Sequence, residues 1–199
     1  MAARLADTAA VRLFNTTVVD KPPRTDGPGN TVGWHADRAY WPTCSSTSML
    51  TAWIPLVAVP AEMGPITMLD RSSTWSGSDA EGFRGIRGFV TADPAGFEDR
   101  LDAAFPVEKA EMLLERGQVS FHNCLTLHGS APNRGSRHRV SLTVHLQDEG
   151  NAWREASAPD GSIARYRHDA WCRRDADGRP DYRDPEICPQ IWPVLPDRG

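Results

Sequence analysis

Cysteine is scarce in this 199-residue chain, and its four cysteines are scattered without a CxxC pair. A disulfide-stabilised secreted domain uses a denser set, so we interpret them as reduced thiols of a cytoplasmic protein. The sequence also lacks an apolar run that approaches the roughly 20 residues of a membrane span. Its first residues, MAARLADTAAVRLF, lack the apolar stretch and cleavage site of a secretory signal. We therefore expect neither secretion nor membrane insertion.

Basic charge is not concentrated in any part of the sequence. The formal net charge is −4, and no block of lysine and arginine is present that would follow a phosphate backbone. Nucleic acid is therefore not an expected partner, and a small-molecule substrate is. Internal repeats are absent, and a chain of this length suits one domain, residues 1–199.

Turn-forming and aromatic residues are abundant, with 16 glycines, 16 prolines and 7 tryptophans. This composition favours a turn-rich β-protein, and a jelly roll is one common architecture of that kind. Strands are expected over residues 11–20, 45–59, 118–128 and 137–147. Residues 107–117 fit a short helix or a strand equally well. The core is expected over about 11–147, and the polar residues 148–199 are expected to form an irregular wrapping tail.

A histidine and an aspartate lie two residues apart in the aromatic-rich segment VGWHADRAYWP, residues 32–42. If this segment is a strand, His35 and Asp37 point to the same face, and a buried carboxylate there needs a partner. A second imidazole would complete the two-histidine, one-carboxylate set of non-haem Fe(II) oxygenases. His122 and His128 both have suitable parity on strand 118–128. His128 is favoured at the strand end, whereas His122 is interpreted as a supporting or core histidine.

Period-two alternation is clearest over residues 137–147. Arg139 and Ser141 lie on its polar face, where a guanidinium and a hydroxyl could hold a carboxylate. The opposite face carries an aliphatic row, Val140, Leu142, Val144 and Leu146. Lys21, at the end of the first strand, is interpreted as a surface charge.

Four segments together carry a family resemblance: WHADRAYWP, TAWIPL, GPITMLDRSS and GQVSFHNCLTLHGSAPNRGSRHRVSLTVH. They resemble the phytanoyl-CoA dioxygenase family of Fe(II)/2-oxoglutarate oxygenases over about residues 11–147. The resemblance implies a double-stranded β-helix, which is a cupin-like jelly roll, with few helices. It implies that His35, Asp37 and His128 bind Fe(II), and that Arg139 holds the C5 carboxylate of 2-oxoglutarate. Ser141, on the same strand face, is expected to contact the co-substrate beside Arg139.

The implied reaction is an O₂-dependent hydroxylation of a small organic molecule, such as a natural-product intermediate, with release of succinate and CO₂. Halogenating relatives replace the carboxylate ligand with a small residue, so Asp37 favours oxygenation. Arg71-Ser72-Ser73-Thr74 stands where the family often has Gly-Ser-His. Only about ten residues precede the first matched strand, so the aliphatic row is expected to be uncovered, which would favour a homo-oligomer.

Two other classes of function stay open. One is a metal- or 2-oxo-acid-binding regulatory protein of the same fold without turnover. The other is a cupin-type metalloenzyme that needs no 2-oxo acid. The second is ranked last, because the chain lacks the HxH…E spacing of the common cupin motif.

Overall fold

The computed structural model describes residues 1–23, 31–85, 94–158 and 161–193. Within these ranges the strands are β1 (Val11–Lys21), β2 (Val32–His35), β3 (Leu50–Pro55), β4 (Ile66–Leu69), β5 (Lys109–Glu111), β6 (Ser120–Asn123), β7 (His128–Ser130), β8 (Arg139–Asp148) and β9 (Gln190–Trp192). The α-helices are α1 (Ala2–Leu5), α2 (Ser78–Arg84) and α3 (Pro94–Ala104). Short 3-10 turns cover Asp37–Tyr40, Ala61–Met63, Ser72–Thr74 and Arg167–Ala170.

The strands form two antiparallel sheets whose neighbours are distant in sequence. One sheet has the order β6-β3-β8-β1-β9 and the other has the order β2-β7-β4-β5. Each sheet therefore combines strands from both halves of the chain, as a jelly roll does. The expected mainly β, double-stranded β-helix fold with few helices is confirmed.

The pairing of β1 with β8 sets which side chains face the interior. Its register runs from Val11 opposite Asp148 to Lys21 opposite Arg139, with one irregularity at Phe14. Phe14 is the extra residue of this bulge and is fully buried. Alternation along β8 turns Arg139 and His145 inward, where both line a cavity between the sheets.

The aliphatic row of β8 faces away from that cavity, and it is covered at one end. Leu146 belongs to a buried cluster against which alanines of the α1 segment and Val144 pack. At the other end Val18, the register partner of Leu142, is 65% exposed, and Leu56 is 45% exposed. The expectation of a wholly uncovered row is therefore wrong for the end beside α1, because a short helix lies across it.

Two local expectations were wrong, although the residues concerned still meet. Residues 118–128 do not form one strand, because a turn closed by the Thr126 amide and the Asn123 carbonyl separates β6 from β7. His122 and His128 therefore belong to different sheets. His35 ends β2, and Asp37 begins a 3-10 turn instead of continuing the strand. The ambiguous stretch 107–117 contains the short strand β5.

The described part of the tail returns to the core. β9 pairs with β1 and forms an edge of the five-stranded sheet, and Cys172, Tyr182 and Cys188 are buried in a cluster with Phe14. Among the described helices, none has the length and apolar character that crossing a bilayer requires.

Candidate metal centre

His35, Asp37 and His128 converge at one end of the cavity. The Oδ1 atom of Asp37 lies 3.8 Å from Nε2 of His35 and 3.7 Å from Nε2 of His128. The three residues are 5–7% exposed, and one ligand atom from each lies within 4.8 Å of the others. These separations allow all three atoms to reach a single ion. The structure therefore brings together the three residues that the sequence singled out.

Strand pairing places the two imidazoles side by side. His35 and His128 are register partners on β2 and β7, and their ring centroids are 4.2 Å apart. Gly129 allows this close approach, since a Cβ there would lie 2.9 Å from the carbonyl oxygen of Val32. Asp37 is held beside them because the amide of Arg38 donates to the Cys124 carbonyl at 2.9 Å, which fixes the 3-10 turn.

Backbone hydrogen bonds fix the tautomer of both imidazoles. Nδ1 of His35 lies 2.8 Å from the Gly33 carbonyl, and Nδ1 of His128 lies 2.9 Å from the Thr126 carbonyl. A carbonyl oxygen only accepts, so each Nδ1 carries the hydrogen and each Nε2 presents a lone pair to the centre. Burial, followed by a neighbouring imidazole, lowers the pKa of each histidine to about 4, so both are neutral at pH 7.

The second carboxylate oxygen of Asp37, Oδ2, contacts side chains of the other sheet. Oδ2 accepts a short hydrogen bond from the Thr51 hydroxyl and lies 3.3 Å from Nε2 of His122. Nδ1 of His145 contacts the same hydroxyl at 2.9 Å. Burial alone would raise the pKa of Asp37, but the surrounding imidazoles hold it well below its usual value. An ionised carboxylate with two neutral imidazoles is a donor set that suits Fe(II), so these residues fit the ion.

Arg139 presents a buried positive charge to the same cavity, whose volume is about 280 Å³. It is 1% exposed, its Nη1 donates to the Gly64 carbonyl at 2.5 Å, and its guanidinium lies 5.6 Å from the ring centre of Trp53. Its Nε has no hydrogen-bond partner, and no described carboxylate pairs with it. Burial lowers its pKa to about 10, so it stays charged at neutral pH. A buried guanidinium without an acidic partner is suited to an incoming carboxylate.

Ser141 shares the strand with Arg139 but does not line the cavity. Its side chain is fully buried, and its hydroxyl faces the Val19 carbonyl at 3.5 Å. Contact between Ser141 and 2-oxoglutarate stays a prediction.

Lys21 is buried next to the site, so its interpretation as a surface charge was wrong. It is 2% exposed, and its Nζ donates to the Ser130 hydroxyl at 2.5 Å and to the Ala131 carbonyl at 2.7 Å. Burial and the nearby Arg139 lower its pKa to about 7. The β1–β8 register places Lys21 opposite Arg139, and register partners on adjacent strands face the same side. The sequence alone carries no signal for this pairing.

A jelly roll that encloses two imidazoles, a carboxylate and a buried arginine has the arrangement of the non-haem iron oxygenases that use a 2-oxo acid. The sequence model of the phytanoyl-CoA dioxygenase (PhyH) family matches residues 2–141. The chain belongs to this family, whose members depend on Fe(II) and 2-oxoglutarate.

Individual relatives agree with this assignment. The peroxisomal phytanoyl-CoA dioxygenase of Bos taurus is 24% identical in an alignment of length 149, which covers 69% of this chain and 40% of the bovine protein. SnoK, a non-haem α-ketoglutarate-dependent carbocyclase from nogalamycin biosynthesis, has a TM-score of 0.61 and 24% identity over 80% of this chain and 58% of its own. The epimerase SnoN, solved with Fe³⁺, α-ketoglutarate and a nogalamycin compound, has a TM-score of 0.56 and 25% identity over 77% of this chain and 56% of its own. The chain thus spans about half the length of these relatives.

Proposed function

We propose that this protein is an Fe(II)- and 2-oxoglutarate-dependent oxygenase that hydroxylates a small organic molecule and releases succinate and CO₂. His35, Asp37 and His128 would hold the iron, and Arg139 would bind the distal carboxylate of 2-oxoglutarate. One observation carries the proposal: the convergent donor set and a buried guanidinium with no described acidic partner face one cavity.

The chain's own residues would prepare the centre. The iron, when bound with 2-oxoglutarate and O₂, supplies the oxidising chemistry. The two backbone-anchored imidazoles and the Asp37 carboxylate would occupy one face of the ion and leave the opposite face for co-substrates. Thr51 and His122 would hold the carboxylate in its orientation, because they contact Oδ2, whereas His35 and His128 lie nearest Oδ1.

Arg139 would orient 2-oxoglutarate in a cavity that is lined partly by apolar side chains. Its Nη1 is anchored to the Gly64 carbonyl, which restrains the guanidinium before any ligand arrives. Trp53, Trp41 and Ile66 line the same cavity and limit water around the reacting atoms.

The size of the cavity limits the substrate. About 280 Å³ lies at the small end of ligand pockets, which occupy roughly 300–1,000 Å³. The co-substrate takes part of this space, so the proposal is for a compact substrate or for one that extends beyond the mouth. The nogalamycin-pathway neighbours support a natural-product intermediate. Asp37 supplies the carboxylate ligand that halogenating relatives lack, which favours hydroxylation over halogenation.

Oxygen-dependent turnover tests the proposal. Protein supplied with Fe(II), ascorbate and 2-oxoglutarate is incubated with a panel of small aromatic and polyketide-like compounds, and succinate is measured against O₂ consumed. We expect equal amounts of the two, and we expect no succinate from His35→Ala. The protein could instead bind Fe(II) and 2-oxoglutarate but form no succinate, either with or without a compound of the panel. That result would favour the non-catalytic binding protein.

A further inference from the structure

A second cluster of metal-binding side chains lies in the tail, outside the cavity. The ligand atoms of His168, Cys172 and Cys188 all lie within 4.8 Å of one another. The three residues are 4%, 5% and 0% exposed. None of them lines the cavity that holds His35 and Asp37.

The polar contacts of the His168 ring are with sulfur. Its Nε2 lies 3.2 Å from Sγ of Cys188, and its Nδ1 has no hydrogen-bond partner. The ring is packed against Phe14, with centroids 4.7 Å apart. A thiol is a weak hydrogen-bond donor, so a buried imidazole in these surroundings is poorly satisfied by hydrogen bonds alone.

Local structure preorganises the three groups. His168 lies in the 3-10 turn Arg167–Ala170, and Cys172 follows four residues later with its Sγ 3.6 Å from the His168 carbonyl. The amide of Cys188 donates to the Asp184 carbonyl at 2.7 Å. The Asp184 carboxylate accepts from the amides of Arg173 and Glu186, so its oxygens are already engaged.

From this geometry we propose that His168, Cys172 and Cys188 bind a thiophilic divalent cation, with Zn²⁺ as the first candidate. Zinc bonds of about 2.3 Å to sulfur and about 2.0 Å to nitrogen place such ligand atoms about 3.5–3.8 Å apart. In the structure Nε2 of His168 and Sγ of Cys188 are 3.2 Å apart, and all three ligand atoms lie within 4.8 Å of one another. Two thiolates and one Zn²⁺ are neutral overall, so the complex can be buried without an uncompensated charge. Binding displaces the two thiol protons to solvent and involves no redox change.

A disulfide between Cys172 and Cys188 is the competing chemistry. Both cysteines are free thiols in the structure. Oxidation would leave the His168 ring with only a disulfide sulfur beside Nε2, which is at best a weak acceptor, and with Nδ1 still unpartnered. The imidazole therefore favours the metal.

The site would fasten the tail to the core. Its ligands flank the segment that leads into β9, and β9 pairs with β1. The carbonyl of Cys188 also accepts from Arg12 on β1 at 3.3 Å. Bound metal would therefore stabilise the pairing of the tail with the five-stranded sheet.

Cobalt spectroscopy separates this site from the iron centre, because only thiolate ligands give an intense near-ultraviolet sulfur-to-cobalt band. Reduced, metal-free protein is titrated with Co²⁺ and then with Zn²⁺. We expect the band to form and then to disappear, since Zn²⁺ binds such ligands more tightly. Cys188→Ser and Cys172→Ser should abolish the band. Cys44→Ser, at a buried thiol outside the cluster, and His128→Ala should retain it.

Thiol protection in the wild-type chain gives a second measurement that needs no variant. Zn²⁺ should slow alkylation of Cys172 and Cys188 relative to the metal-free protein, with no such effect at Cys44 or Cys124. Absence of the cobalt band in the wild type would overturn the proposal. A band that is lost in His128→Ala but retained in Cys172→Ser and Cys188→Ser would also overturn it. A Cys172–Cys188 disulfide in freshly isolated protein, found by non-reducing mass spectrometry, would also overturn it.

Discussion

Nε2 of His122 lies 3.3 Å from the Asp37 oxygen that faces away from the proposed iron position. His122 comes from β6 of the five-stranded sheet, whereas Asp37 follows β2 of the other sheet. The contact therefore ties the carboxylate to the opposite wall of the jelly roll. From this contact we infer that His122 positions Asp37 and is not itself an iron ligand.

Replacement of His122 with phenylalanine should weaken Fe(II) binding by about 10- to 100-fold, the usual effect of losing a group that orients a metal ligand. Anaerobic competition with a chromogenic chelator measures the affinity. His138→Phe is the matched control, because His138 is exposed and contacts Asp20 on the surface. Equal affinities in His122→Phe and the wild type would show that His122 does not orient Asp37.

The Gly64 position should not tolerate a side chain. Its φ is +63°, and a Cβ there would overlap the Ala131 carbonyl oxygen, while its own carbonyl accepts from Arg139. Gly178→Ala is the control, since Gly178 has a φ of +77° but open space around it. We expect Gly178→Ala to lower the free energy of unfolding by about 1–2 kcal/mol, from backbone strain. Urea denaturation should show a clearly larger loss for Gly64→Ala, and equal losses would contradict the packing argument.

Acidification should destabilise the metal-free protein. The folded state lowers the pKa of His35 and of His128 from 6.5 to about 4, so between these values the unfolded chain binds more protons. The contribution of these histidines to stability is complete above about pH 6.5 and is lost as the pH falls toward about 4. Urea denaturation across this range measures the slope. A His35→Gln/His128→Gln variant should show a shallower slope, and an unchanged slope would assign the effect to other groups.

We propose that the exposed end of the outer β-sheet face binds a second copy of the chain. Val18, Leu142 and Ile54 are successive register partners across β1, β8 and β3, and they form an apolar stripe there. Sedimentation velocity at rising concentration should show dimers of the wild type and monomers of Val18→Glu. Leu113→Glu is the control, because Leu113 is 54% exposed on another part of the surface. If the wild-type protein stays monomeric at every concentration, the proposal is wrong.

The residues of the candidate site could be selected from the sequence, although part of the reasoning was wrong. The parity argument treated His35 with Asp37, and His122 with His128, as pairs on single strands. In the structure each pair spans a strand end or a turn. The predicted grouping of His35 with His128 is nevertheless correct. Register pairing across β2 and β7, rather than alternation along one strand, brings the two imidazoles together.

Other features depend on long-range pairing, which one sequence does not reveal. The bulge at Phe14 changes the alternation along β1, so the inward direction of Lys21 could not be read from its neighbours alone. The approach of Cys188 to His168 depends on a tail whose polar composition predicted no particular path. By contrast, the alternation along β8 was correct, because a strand with one buried face requires it.

Anaerobic absorption spectroscopy of the protein with Fe(II) and 2-oxoglutarate tests the central claim most directly. The wild type should develop a visible metal-to-ligand charge-transfer band that saturates with 2-oxoglutarate, and His128→Ala should develop none. In Arg139→Ala, half-saturation should need at least about tenfold more 2-oxoglutarate, because the distal carboxylate loses its buried cation. Arg137→Ala, at an exposed position, should match the wild type. A wild type without the band, or an Arg139→Ala variant with unchanged saturation, would contradict the assignment of this cavity to Fe(II) and 2-oxoglutarate.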